Sequence, residues 1–373
     1  MQCAATKKSD GLRCKNKAKY GDFCGVHKSK VATGQLNNAI VEDPGHYVPV
    51  TSINELVTDA EGLKATILRH GFAIIPDVLD ASECAEMNSG CWDFFEALTQ
   101  EMPVPMQRDD DSTWITNFEL YPKHGMLHQH WGIGHADYIW KVRQNSKVVD
   151  IFSKLWSCEP EDLLVSFDGA SFGVPPEITK RGYYRNNRWY HFDQRLSDPR
   201  FQCVQSWVTA NDVFEGDATL TVLEGSNTQR EFFASEFNMQ SETKDWIKIS
   251  DEHISWFEER GCVVREIQCT AGSMVFWDSR TAHAGKEPLK VRDHQTFRNV
   301  VYLCYTPREL ASQAMLKKKR KAYEENRTTS HWPHKPKLFP VKPRTYGNPM
   351  PEVVYQPVPE LDELGRRLAG YEE

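Results

Sequence analysis

The chain lacks any apolar run long enough to span a bilayer, so no segment reads as a transmembrane helix. It also lacks the apolar core that follows the basic residues of a secretory signal. A reducing, intracellular compartment is therefore expected, most simply the cytoplasm. No internal repeat is found. There is no basic excess either: 45 Lys and Arg stand against 52 Asp and Glu, a net charge of −7. That balance argues against a general nucleic-acid binder and leaves only local basic patches. The 10 Cys are unevenly spaced along a chain too long to be a small secreted scaffold, so most are expected to be free or metal-bound. At 373 residues, one decorated all-β domain can carry the whole core.

Residues 1–28 are Lys-rich, punctuated by Gly and nearly devoid of large apolar side chains, so they cannot fold by burial alone. They hold Cys3, Cys14, Cys24 and His27, spaced C-x10-C-x9-C-x2-H. Three thiolates and an imidazole make a complete tetrahedral set for structural Zn(II), and binding that ion can supply the folding energy. Residues 1–30 are thus expected to form a zinc-binding module, with 31–65 a linker and lead-in. The stretch is also similar to a small Cys3His module found fused to other domains.

Gly71–Pro76 reads as a short buried strand, and Asp80 is placed to cap the helix that follows. In that helix Cys84, Met87, Cys91, Phe94, Phe95 and Leu98 recur at helical spacing and form a core face. Residues 100–135 carry His124, His128, His130 and His135, read as a loop lining the mouth of a site, each imidazole solvated or hydrogen-bonded. One amphipathic helix is expected from Ile139 to Trp156. From Leu163 on, strands dominate: 163–169, the His191 segment, 203–210, 218–223, 262–267, 273–277 and 299–305. A helical, polar interruption covers 229–260. Many short strands with Gly turns point to a β-sandwich or barrel. After Pro307, residues 309–325 read as a helix whose run Lys317-Lys318-Lys319-Arg320-Lys321 is taken as a solvated face. The tail, with His331-Trp332-Pro333-His334, reads as an extended arm packed over the domain.

Two distant stretches carry the chemistry. The first, Trp189-Tyr190-His191-Phe192-Asp193-Gln194, offers a His and a carboxylate two residues apart, on one face of an extended chain. The second, Phe276-Trp277-Asp278-Ser279-Arg280-Thr281-Ala282-His283, brings another His after an apolar run. Two His and one carboxylate make the facial triad of non-haem Fe(II) oxygenases, with positions left open for substrate and oxygen.

In these stretches and in Leu164–Gly169, Gln205-Ser206-Trp207, Leu223–Ser226, Gly272-Ser273 and Arg298, the sequence resembles the phytanoyl-CoA dioxygenase-like branch of the Fe(II)/2-oxoglutarate oxygenases. The likeness runs over roughly residues 65–340. It implies a mainly β fold with flanking helices, a double-stranded β-helix (cupin-like jelly roll) over 66–310, followed by a basic helix and Pro-rich arm over 311–373. It also implies Fe(II) on His191, Asp193 and His283, 2-oxoglutarate as cosubstrate, and O2-dependent hydroxylation of a C–H bond with release of succinate and CO2. Arg298, opening an apolar strand, is the expected partner of the cosubstrate's far carboxylate. Arg292 is its rival, read as an exposed loop charge. Trp207 either lines the cosubstrate pocket or packs in the core. Arg280 is expected to fix Asp278. The chain departs from the family turn at Gly225-Ser226-Asn227, where Gly-Ser-His is frequent. Because the ligands must be neutral imidazoles and an ionised carboxylate, activity should fall in acid.

The expected substrate is a small molecule or lipid-like metabolite. Other readings are the same chemistry on a protein or nucleic acid docked through the zinc module and the basic run, and a non-catalytic jelly-roll binding protein. Metal-dependent cupin lyase or isomerase chemistry is a further alternative, needing neither the Arg nor 2-oxoglutarate.

Overall fold

The computed structural model describes residues 41–372. The expected zinc ligands Cys3, Cys14, Cys24 and His27 lie outside them. Among the described residues no helix is long and apolar enough to cross a membrane.

Helix α1 (Leu63–His70) ends at Gly71, whose φ of 88° suits a residue without Cβ. The chain then enters β1 (Phe72–Ile75), buried throughout. Asp80 accepts from the amides of Ser82 and Glu83, while Glu83 reaches back to the Asp80 amide. This capping box starts α2 (Ala81–Thr99), and the expected apolar face is buried. Where one helix was expected over 139–156, the chain makes two, α3 (Asp137–Arg143) and α4 (Ser146–Trp156). The break falls at Asn145, whose side chain accepts from the Lys147 amide at 2.9 Å and so begins a new helix.

The strands that follow are β2 (Leu127–His128), β3 (Leu163–Val165), β4 (Ala170–Gly173), β5 (His191–Phe192), β6 (Val204–Thr209) and β7 (Thr219–Glu224). They continue with β8 (Ile247–Lys248), β9 (Val263–Glu266), β10 (Met274–Asp278), β11 (His283–Lys286) and β12 (Arg298–Pro307). Short helices α5 (Pro176–Thr179), α6 (Ser226–Glu236) and α7 (Asp251–Glu259) interrupt them, and α8 (Gln313–Glu324) and α9 (Glu363–Leu368) close the chain. The larger sheet runs β1-β10-β6-β12-β4-β2, with β3 also on β12; the smaller runs β8-β5-β11-β7-β9. All pairings between these strands are antiparallel. This is a jelly roll with flanking helices.

Side-chain alternation explains the layers. Trp207, Val275, Trp277 and Val300 of the larger sheet meet Leu220 and Val222 of the smaller one in the interior. The opposite parity, Val208, Phe276, Val301 and Leu303, packs under helices α2 to α4. Phe192, Leu223 and Ala284 on the outside of the smaller sheet are covered by Phe233 and Phe257 of α6 and α7.

Two expectations are corrected. The four His of 124–135 do not share the mouth of a site. His128 packs edge-to-face against Phe95 in the core, and His135 is held between Trp140 Nε1 and the Arg327 carbonyl. Burial pushes both imidazoles down to about 3. The basic run is not uniformly solvated either: Lys319 is buried, its Nζ bonded to the Val165 carbonyl and lying over the Phe167 ring. Asn227, the departure from the family turn, donates to the carbonyls of Ile67 and Leu68 and so satisfies the end of α1.

Candidate metal centre

His191 opens β5 and His283 opens β11, and the register pairs them directly. Cross-strand partners share a face, so the two imidazoles meet, with ring centroids 4.4 Å apart. Asp193 lies just past β5. Its amide donates to the Ser279 carbonyl at 3.1 Å, and Ser279 Oγ donates to Gln194 Oε1 at 2.8 Å. These bonds tie the Asp193 loop to the turn that precedes His283. Asp193 Oδ1 is 3.5 Å from His191 Nε2, and Oδ2 is 3.3 Å from His283 Nε2. The donor atoms of all three buried residues lie within 4.8 Å of one another.

The backbone sets the tautomers. His283 Nδ1 faces the Thr281 carbonyl at 2.9 Å and His191 Nδ1 the Trp189 carbonyl at 3.2 Å. A carbonyl only accepts, so each Nδ1 carries a proton, and Nε2 is the nitrogen turned toward Asp193, its lone pair open to a metal when the ring is neutral. Trp277 Nε1 donates to His283 Nε2 at 3.1 Å, and a metal ion would take that lone pair from the indole. Burial works against ionisation of Asp193, but the surrounding imidazoles of His331 and His191 outweigh it and hold the carboxyl well below its ordinary range. Burial, followed by the neighbouring His191, pushes His283 down. Gln205 Nε2 fixes Asp193 Oδ2 at 2.9 Å. A neutral imidazole beside an ionised carboxylate is the donor chemistry a divalent iron site needs, so these residues fit the ion.

Arg298 opens β12 and shares the interior parity of Val300 and Tyr302; Tyr302 pairs with Trp207. The guanidinium lies 5.6 Å from the Trp207 ring centre. Its Nε donates to Ser171 Oγ at 2.9 Å and its Nη1 to the Ala218 carbonyl at 2.7 Å. Among the described residues it has no carboxylate partner, although it is buried. The Trp207 Nε1–H beside it is buried with no acceptor among those residues. A buried, uncompensated cation is costly, and an orphaned donor costs about 1–3 kcal/mol more. An anion rich in acceptors would relieve both. Arg298 also lines a cavity with Phe118, Met126, Thr209 and Phe297; the triad does not line it. Arg292 is not the exposed loop charge expected: its side chain is 2 % exposed and bonded to Glu177 and Asp217. Arg280 pairs with Asp278 at 2.6 Å.

The structure thus brings His191, Asp193 and His283 together and sets Arg298 against Trp207. Three further residues at the triad have no role assigned from sequence. Gln205 had a signal, being two residues from Trp207 on the same strand face. Trp277 had one in its place before the His283 turn. His331, 3.9 Å from Asp193 Oδ2, had none, because 138 residues separate it from Asp193.

Fold and triad together define a non-haem, 2-oxoglutarate oxygenase-like protein. Residues 67–288 match the phytanoyl-CoA dioxygenase (PhyH) family, and the chain belongs to that family. "Ava biosynthesis cluster protein O" of Aspergillus versicolor is 28 % identical over 239 residues, 61 % of this chain and 72 % of that one. Among solved structures, a putative oxidoreductase from Salmonella typhimurium LT2 shares the fold with a TM-score of 0.52 at 14 % identity, covering 92 % of this chain and 90 % of its own. The epimerase SnoN, solved with Fe3+, alpha ketoglutarate and nogalamycin RO, overlaps with a TM-score of 0.40 at 14 % identity, over 66 % of this chain and 83 % of its own.

Proposed function

We propose that the protein is an Fe(II)- and 2-oxoglutarate-dependent oxygenase that hydroxylates a C–H bond of a small-molecule or lipid-like substrate, with release of succinate and CO2. The observation that carries the reading is the buried His191–Asp193–His283 set, accompanied by a buried arginine that no carboxylate among the described residues neutralises. His191, Asp193 and His283 would hold the iron, and Gln205 would keep Asp193 turned toward it. Arg298 would bind the far carboxylate of 2-oxoglutarate through its free edge, with Trp207 as the wall. When bound, iron and the keto acid supply the oxidising chemistry, and the protein orients them and excludes water. The name of the Aspergillus relative, a biosynthesis cluster protein, supports a small-molecule substrate.

The test is succinate release from 2-oxoglutarate by the full chain in air, with and without Fe(II). Release should depend on Fe(II) and fall about a thousandfold in His191→Ala, the order of loss when an essential group is removed. Wild-type protein that neither binds Fe(II) nor consumes 2-oxoglutarate would overturn the proposal. Cys3, Cys14, Cys24 and His27 are proposed as a separate structural zinc site within residues 1–30. Elemental analysis should find one zinc per chain, lost in Cys24→Ser; a zinc-free wild type would refute it.

A further inference from the structure

The chain beyond the family-matched residues 67–288 returns across the triad. Thr329 N donates to the Phe167 carbonyl at 2.8 Å, and its Oγ1 accepts from the Phe167 amide at 3.2 Å. Further on, His334 Nδ1 meets Thr306 Oγ1 at 3.1 Å, and Lys335 Nζ lies 3.4 Å from Asp245 Oδ2. Between these anchors stands His331. Its Nδ1 is 3.9 Å from Asp193 Oδ2, beyond hydrogen-bonding distance, and its Nε2 is buried with no partner among the described residues. A half-buried imidazole with neither nitrogen hydrogen-bonded among the described residues is unusual, and this one sits beside a triad ligand.

The register shows which end of the site it faces. Along β6 and β12, Gln205 pairs with Cys304 and Trp207 with Tyr302, while Arg298 lies six residues before Cys304. That is about 20 Å of strand. Gln205 holds Asp193, and Cys304 packs with Trp332, the neighbour of His331. His331 and Arg298 therefore lie toward opposite ends of the strand, with the triad on the His331 side. A keto acid held by Arg298 at its far carboxylate and by the triad at its keto-acid end would have its C-1 carboxylate nearest His331.

We propose that His331 is a positioning residue whose imidazole N–H donates a hydrogen bond to the C-1 carboxylate of 2-oxoglutarate, so that the site is incomplete without the C-terminal strap. The inference rests on the proposed function. It is tested by anaerobic titration of the full chain with Fe(II) and then 2-oxoglutarate, reading the visible charge-transfer band of the chelate. Three proteins are compared: wild type, His331→Phe, which keeps the ring and loses the donor, and His331→Gln, which restores an N–H. His331→Phe should bind Fe(II) as wild type does, displace the band and weaken 2-oxoglutarate about tenfold or more, whereas His331→Gln should stay within about threefold. A Phe variant indistinguishable from wild type, a Gln variant as weak as Phe, or a parallel loss of Fe(II) affinity would overturn the assignment. A wild type with no band would instead sink the cosubstrate reading itself, and this inference with it.

Discussion

Arg292 and Arg298 stand six residues apart, and both are buried, yet their surroundings are opposite. Arg292 gives two bonds of 2.7 Å to Glu177 and one of 2.6 Å to Asp217, so its charge is spent inside the protein. Arg298 has a hydroxyl, a carbonyl and the face of Trp207 around it, and no anion among the described residues. Burying a guanidinium is tolerated when the fold supplies its counter-charge. When the fold does not, the site is open to a counter-charge from a ligand, as proposed for Arg298. The difference separates a structural arginine from the one proposed to receive a carboxylate, and it does so without reference to the distance of either from the triad.

The comparison can be broken by exchanging the expected phenotypes. Arg292→Ala strands Glu177 and Asp217 and should cost about 3–5 kcal/mol of stability, read by denaturant unfolding, while the folded fraction still binds 2-oxoglutarate. Arg298→Ala should do the reverse. Its unfolding midpoint should hardly move, and its affinity for 2-oxoglutarate should fall about a hundredfold, the loss of two charge-assisted bonds, by calorimetry. If Arg298→Ala unfolds the protein and leaves binding intact, the roles are reversed.

Acid sharpens the contrast. Burial pushes His128 and His135 down to about 3, so their native forms stay neutral while the unfolded chain takes up protons. Stability should therefore be full above pH ~6.5 and fall below it, each His contributing about 1.4 kcal/mol per pH unit. Burial raises the Glu177 carboxyl, but its bonds to Arg292 outweigh that and lower it from 4.5, so its contribution is present above that value and lost as pH falls further. Unfolding curves against pH should show both windows in wild type, and the lower one reduced by the Glu177 contribution in Arg292→Ala. The smallest effect is expected at Trp207→Phe, which keeps the packing and removes the orphaned N–H. It should weaken 2-oxoglutarate by about tenfold or less, with no loss of Fe(II) binding.

What could be read from sequence follows the range of the signal. The capping box at Asp80, the apolar face of α2 and strands β1, β6, β7, β10 and β12 are local patterns, and each falls close to its expected place. The triad was legible because two short motifs carry it, and the register of β5 against β11 closes the gap between them. The break at Asn145 was hidden because the apolar spacing continues through it. The burial of His128, His135 and Lys319 was hidden because polar residues carry no periodic signal when tertiary packing encloses them. Arg292 looked exposed among Lys290 and Asp293, whereas its partners Glu177 and Asp217 are 115 and 75 residues away. His331 was hidden for the same reason.

The most direct measurement is the anaerobic absorbance of the full chain with Fe(II), with and without 2-oxoglutarate, in wild type, Arg298→Ala and Arg292→Ala. The account predicts a visible chelate band in wild type and in the folded fraction of Arg292→Ala, and a band reached only at far higher 2-oxoglutarate in Arg298→Ala. No band in wild type, or equal titrations for wild type and Arg298→Ala, would contradict it.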